Sequence, residues 1–251
     1  MRKVIVSVLA VCTIFLTSCL ETTQEITLKD DGSGTLSNMN DMSAIIPLVK
    51  QMGGSDIDKL LKETMDSIIS LANAADSIPD LTPTERGIVK KTTVHLYMDI
   101  KAEKLFTNMS FPFSSGSEIQ RLIKLSGKIM TLTLNDKMME EGSPVTEEQM
   151  PEFSSFDDYY TMEFSNGELT KKVNKEKYAG VESDEYLKAM KEASSMGLPM
   201  KANYIINLPR PATKAEGKNV TLSADKMKVT ISADVDDFFD DASSLEFKIK
   251  Y

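Results

Sequence analysis

Alternation of apolar and polar positions divides the chain into many short strands and a few amphipathic helices. Glu25-Ile26-Thr27-Leu28 alternates as a half-buried strand does, Asp30-Asp31-Gly32-Ser33-Gly34 supplies a turn, and Thr35 to Met39 returns beside it. The most explicit hairpin is Tyr159 to Ser165 and Glu168 to Val173 around Asn166-Gly167, residues that accept positive φ. Val94, Leu96, Met98 and Ile100 alternate with Thr93, His95, Tyr97 and Asp99, and Leu105 to Phe113 follows as a further strand. Near the C-terminus, Tyr204 to Leu208 is stopped by Pro209 and Pro211. Lys218 to Ser223 and Lys226 to Ala233 pair around Ala224-Asp225, and Leu245, Phe247, Ile249 and Tyr251 form a last alternating strand.

Helical spacing predicts a helix over about 56–75, where Ile57, Leu60, Leu61, Met65, Ile68, Ile69 and Ala72 share a face after Ser55 and Asp58. Ser43 to Met52 is a short amphipathic segment interrupted by Pro47 and ended by Gly53-Gly54. Thr82 to Val89 suits one or two helical turns. Ser117 is positioned to cap a helix carrying Ile119, Leu122 and Ile123, whereas 128–135 fits strand and helix equally. Ser183 caps a helix through about Ser195, which Gly197 and Pro199 terminate. The predicted class is α+β, with antiparallel sheet(s) and amphipathic helices packed on one face. Residues 19–251 read as one such domain, and an acidic stretch over 139–157 with Gly142, Pro144 and Pro151 is where two subdomains would part. A hairpin followed by a helix occurs at about 24–52 and again at 159–196, a weak internal repeat without matching side chains.

The first twenty residues carry a different signal. Arg2 and Lys3 precede 13 uncharged residues from Val4 to Leu16. As a helix of about 1.5 Å per residue this run spans about 20 Å, short of a hydrocarbon core of about 30 Å, so it reads as a secretory signal. It ends in Leu16-Thr17-Ser18-Cys19, which resembles the bacterial lipobox. The resemblance implies cleavage between Ser18 and Cys19 and lipidation of Cys19 by a diacylglyceryl group, with palmitate-like acyl chains; the alternative is an ordinary signal peptide with an incidental cysteine. At about 0.8 kcal/mol per buried methylene, two or three chains anchor stably where one is reversible.

Composition then changes meaning. Loss of residues 1–18 leaves 233 of 251 residues, removes Arg2 and Lys3, and moves the net charge from −9 to −11. Cys12 leaves as well, so no disulfide can form within the mature chain and stability rests on a packed core. So acidic a domain disfavours nucleic acid and draws no help from anionic headgroups, which leaves membrane attachment to the lipid.

Candidate chemistry is sparse. His95, the single histidine, falls on the polar side of its strand and reads as an exposed strand residue. Ser223-Ala224-Asp225-Lys226 has a serine–lysine spacing but sits in a hairpin turn, not at the start of a helix. Asp234, Asp236, Asp237, Asp240 and Asp241 crowd around Phe238-Phe239 without an EF-hand's spacing, and read as a solvated turn pinned by its two phenylalanines. Asp66-Ser67-Ile68 and Asp76-Ser77-Ile78 resemble the short O-glycosylation acceptor of exported Bacteroidota proteins, which would make Ser77 an acceptor. Met65, Met130, Met190, Met196 and Met200 suit either ordinary core packing or an adaptable apolar wall. Asp157-Asp158 and Glu140-Glu141 are the paired carboxylates an envelope hydrolase would need. No cofactor, metal or catalytic residue is assigned.

The cysteine, the Asp-Gly-Ser-Gly hairpin, Leu208-Pro209-Arg210-Pro211 and the alternating last strand together resemble envelope lipoproteins of Bacteroidota, over about a third of the chain. In architecture alone the chain is also similar to the LppM-type lipoprotein domain. These resemblances imply a lipid-anchored envelope protein, with Leu20 after the cysteine leaning towards the outer membrane. The expected function is non-enzymatic binding of an amphiphile (a lipid) or an envelope protein partner; the alternative is a structural or assembly lipoprotein with a flat protein-binding face and no pocket.

Overall fold

The computed structural model describes residues 20–44, 46–47, 64–73, 75–76, 78, 81–140, 154–165 and 167–251, with side chains in the helix ending at Glu140 described through Ile129. Eight strands make a large sheet: β1 Leu20–Leu28, β2 Gly34–Asp41, β3 Thr64–Ser70, β4 Thr93–Asp99, β5 Lys104–Phe113, β8 Met200–Asn207, β10 Val220–Leu222 and β11 Lys228–Asp234. Their order is β10-β11-β8-β1-β2-β5-β4-β3. A smaller antiparallel sheet, ordered β6-β7-β12-β9, joins Tyr160–Ser165, Glu168–Val173, Phe247–Lys250 and Lys214–Glu216.

Side-chain alternation explains the layers. Val229, Ile206, Ile26, Leu36 and Phe111 occupy one row across β11, β8, β1, β2 and β5, and all five are buried. The intervening residues form a polar outer face, where Asn207 donates to Glu25 at 2.6 Å, Ser37 to Asn108 at 2.6 Å and Ser232 to Asn203 at 2.6 Å. Such one-sided burial is what an antiparallel sheet with one solvated face shows. The buried face is covered over β2 and β5 by a long helix and over β8 by the small sheet, where the Phe247 and Tyr204 rings lie 6.5 Å apart and Leu169, Phe247 and Ile249 are buried.

The helices are α1 Pro83–Val89, α2 Ile119–Glu140, α3 Lys175–Tyr178, α4 Glu185–Ser195 and α5 Val235–Asp240. In α2, Ile119, Leu122, Ile123, Leu125, Ser126 and Ile129 turn inwards at helical spacing. Thr82 and Glu85 form a reciprocal capping box on α1. The turn glycines Gly32 and Gly167 adopt φ of +78° and +72°, whereas Gly34 is needed for space: a Cβ there would run into the Thr27 carbonyl and the Phe113 ring.

The α+β class and its two hairpins are as the pattern predicts, with several differences of detail. Residues 64–70 are strand β3, not the end of a helix; the part over 56–63 lies outside the described residues. Met65, Ile68 and Ile69 fit a helical stripe, but the segment also offers β-branched Thr64, Ile68 and Ile69, and pairing with β4 decides it. The ambiguous 128–135 is helix. Ser115 rather than Ser117 caps the turn that leads into α2, and Asp184 rather than Ser183 caps α4. Strand β1 begins at Leu20, five residues before the alternating Glu25-Ile26-Thr27-Leu28. β1 and β8 pair in parallel, Gln24 beside Tyr204, an exception in an otherwise antiparallel sheet. The aspartate-rich turn is helix α5, opened by a capping box between Asp234 and Asp237, with Phe238 and Phe239 buried. Of the apparent repeat, the two hairpins lie in different sheets, and most of the helix after the first falls outside the described residues.

Candidate functional site

Two features stand out: a charged cluster inside the core and an under-packed outer part of the large sheet. In β7 the face that carries Leu169 and Val173 also carries Lys171, so alternation drives an ammonium into the interior. Its Nζ lies 2.5 Å from Asp157 Oδ1, with the two side chains 1% and 8% exposed. Asp157 belongs to the 3₁₀ turn Phe156–Tyr159, whose Ser155 cap accepts from the Asp157 N–H at 3.1 Å. The Tyr204 hydroxyl donates to the same carboxylate oxygen at 2.9 Å, and the Gln24 amide donates to the other. Lys171 Nζ also stands 3.6 Å from the Tyr204 ring centre and 4.8 Å from that of Tyr160, in cation–π geometry.

The cluster joins four segments: β1 and β8 of the large sheet, β7 of the small one, and the turn before β6. Burial pushes the Lys171 ammonium below its ordinary value, against the opposing pull of Asp157. Burial, and then the Asp157 charge that its hydroxyl faces, push the Tyr204 phenol well above its own. With Nζ and both carboxylate oxygens engaged, the arrangement offers a brace between sheets and no approach for a substrate. Two carbonyl oxygens on this same face, Gln24 Oε1 and Asn38 Oδ1, are buried without a hydrogen-bond partner; Gln24 and Asn38 are cross-strand neighbours.

Beyond β5 the described residues leave the sheet largely uncovered. None of the seven β4 residues is buried, and β3 exposes six of seven, with Ile68 74%, Ile69 49% and Met65 38% accessible. One face of this wing carries Met65, Met98 and Leu105 in one row and Ile69 and Val94 in another, the second leading to buried Met109. The opposite face holds Ile68, His95, Tyr97 and Phe106. There Tyr97 stacks on Phe106 with centres 5.0 Å apart, and His95 and Phe106 stand perpendicular with centres 5.5 Å apart. Among the described strands, β3 has a neighbour on one side only.

Residues singled out by sequence distribute as follows. His95 is half buried in the wing with Nε2 2.7 Å from Asp66 Oδ1. Ser223 to Lys226 form a turn in which Asp225 accepts from the Ser223 hydroxyl at 2.6 Å and from the Met227 N–H at 3.0 Å. Of the aspartates around α5, Asp241 bonds Ser243 and pairs with Lys218 at 3.0 Å. Among the described residues no three potential ligands converge on a metal site. The paired carboxylates Asp157 and Asp158 are separated: Asp157 enters the core while Asp158 caps its own turn by accepting from Ser155 N–H. The methionines divide, Met190 and Met200 packing against the core while Met65 and Met196 are exposed. Ser18, Cys19 and Ser77 lie outside the described residues, as do the side chains of Met130 and Glu140, and Glu141 altogether. Lys171 went unrecognised in the sequence, although its place between Leu169 and Val173 was the available signal.

Among the described residues no helix is long and apolar enough to cross a membrane. No protein-family model and no curated protein matches the chain. Among solved structures it is similar to the folded domain of the Mycobacterium tuberculosis LppM protein, determined by NMR, with 9% identity and a TM-score of 0.39 over 92% of this chain and 90% of that one.

Proposed function

We propose that the chain is a lipid-anchored envelope lipoprotein, non-enzymatic, that binds a protein partner along the outer wing of its large sheet. The observation that carries this reading is the β3 edge, where Ile68 and Ile69 place exposed apolar side chains on opposite faces of a strand flanked on one side only among the described strands. A partner strand added at this edge would gain main-chain hydrogen bonds and cover apolar surface on both faces. Anchorage follows from the lipobox-like Leu16-Thr17-Ser18-Cys19, with acylation at Cys19. The apolar rows around Met65, Met98 and Leu105 favour a second reading, in which an amphiphile lies along the inner face of the wing.

A photo-crosslinking amino acid at Ile68, in intact envelopes, tests the first reading. A discrete protein adduct is expected, and recovery of the uncrosslinked chain alone would sink it. Native mass spectrometry of the full chain carrying Cys19→Ala tests the second, which needs a retained lipid mass and fails on a bare protein mass.

A further inference from the structure

The route from the anchor into the fold leaves no room for a spacer. Leu20 is already in β1, paired with Met200 of β8, and its N–H donates to the Pro199 carbonyl at 2.9 Å. Consecutive Cα atoms are about 3.8 Å apart and neighbouring strands about 4.8 Å, so a group carried by the residue before Leu20 is tethered close to Pro199 and Met200. The chain segment beside it, Ser194-Ser195-Met196-Gly197-Leu198-Pro199-Met200, carries no charge.

This segment is also held in one shape. Helix α4 ends with the Gly197 N–H donating to the Ser194 carbonyl and the Leu198 N–H to the Ala193 carbonyl, both at 3.0 Å, and Gly197 takes φ +96°. That is a Schellman closure, which fixes the direction of the residues around it. It leaves Met196 79% exposed, more than Met65, Ile68 or Ile69, the other large apolar side chains that stand exposed among the described residues. Lys201, next along β8, is exposed as well.

The geometry points to a second membrane contact: the Met196–Met200 turn enters the interfacial layer of the bilayer that holds the acyl chains, and so fixes how the domain stands on the membrane. The inference rests on the lipid-anchor reading above. A flexible methionine and a leucine on a rigid turn suit the boundary of headgroups and acyl chains, where apolar groups bury to a depth of about 5–10 Å. With the anchor one residue before β1, this end of the large sheet faces the lipid. The β1–β2 turn and the turn at Asp225 then point away.

Methionine oxidation reads this directly, because hydrogen peroxide transfers one oxygen to the thioether sulfur and leaves as water only where the aqueous phase reaches. The acylated protein is reconstituted in phosphatidylethanolamine and phosphatidylglycerol vesicles, treated with peroxide, and compared with the full Cys19→Ala chain free of vesicles. Met227, half buried in the turn at the opposite end of the sheet, is the internal reference. Off the membrane Met196 should oxidise faster than Met227; on vesicles the order should invert. Met196 remaining the faster site in a chain whose mass shows acylated Cys19 would overturn the proposal while leaving the anchor intact. A chain recovered from envelopes with unmodified Cys19 would instead remove the anchor reading, and this inference with it.

Discussion

Lys171 and Asp157 form an ion pair of 2.5 Å in the interior, the two side chains 1% and 8% exposed, at the point where the two sheets meet. Removing one partner strands the other in a medium that solvates it poorly. Lys171→Met is therefore expected to cost about 3–5 kcal/mol, read as a lower urea midpoint at unchanged slope. The double variant Lys171→Met with Asp157→Leu should be more stable than Lys171→Met alone, since no charge is left buried. A double variant as unstable as the single would show that the ion pair is not the source of the loss.

Tyr204 allows the same cluster to be tested by pH. Tyr204→Phe deletes the 2.9 Å hydrogen bond to Asp157 and should cost about 1–3 kcal/mol at neutral pH. The folded phenol keeps its proton well above 10.0, the ordinary tyrosine value at which the unfolded chain releases its own. The unfolded state then binds fewer protons, so stability falls as pH rises above 10.0. Lys171 acts in the opposite sense: its lowered value makes the unfolded chain the better proton binder below 10.5, and stability rises with pH up to there. Denaturation midpoints taken above pH 10.0 should therefore fall less steeply in Tyr204→Phe than in the parent. Parallel curves would remove this account of Tyr204.

What the sequence makes legible is local. The Asp-Gly-Ser-Gly turn and the Asn-Gly turn announce their hairpins because a two-strand ribbon is decided by a handful of neighbouring residues. β3 is ambiguous in sequence because Met65, Ile68 and Ile69 satisfy a 3.6-residue period as well as a strand, and the arbiter, the edge of β4, lies 23 or more residues away. Lys171 illustrates the other limit. Its alternation with Leu169 and Val173 marks the inner face, but a lysine there is tolerable only because Asp157, Tyr204 and Gln24 arrive from three other segments. The β1–β8 parallel pair that brings Gln24 beside Tyr204 leaves no local mark in either strand.

Asp241 gives a prediction at the acid end. It accepts from the Ser243 hydroxyl at 2.7 Å and N–H at 2.8 Å and faces Lys218 at 3.0 Å, and these contacts, the Ser243 bonds first, hold its carboxyl down to about 2 from 3.8. The contribution is present above the unfolded value of 3.8 and is lost as pH falls through about 2. Asp241→Ala should thus be less stable than the parent at neutral pH, and the gap between their urea midpoints should narrow below pH 3.8 and close near pH 2. A gap independent of pH would mean that the ionised carboxylate is not responsible.

The wing separates function from stability. Ile68 and Ile69 are 74% and 49% exposed, so Ile68→Lys with Ile69→Lys gives up only part of each side chain's buried surface, and the stability loss read from the urea midpoint should be no more than about 1 kcal/mol. An edge strand carrying two lysines resists a further strand, because each ammonium must be desolvated as the partner closes over it. The protein adduct formed from a photo-crosslinker at the neighbouring Ser67 should therefore disappear in the double-lysine chain, while its circular dichroism stays that of the parent. An adduct of undiminished yield would place the partner elsewhere on the molecule, and loss of the parental spectrum would show that these isoleucines hold the fold rather than meet a partner.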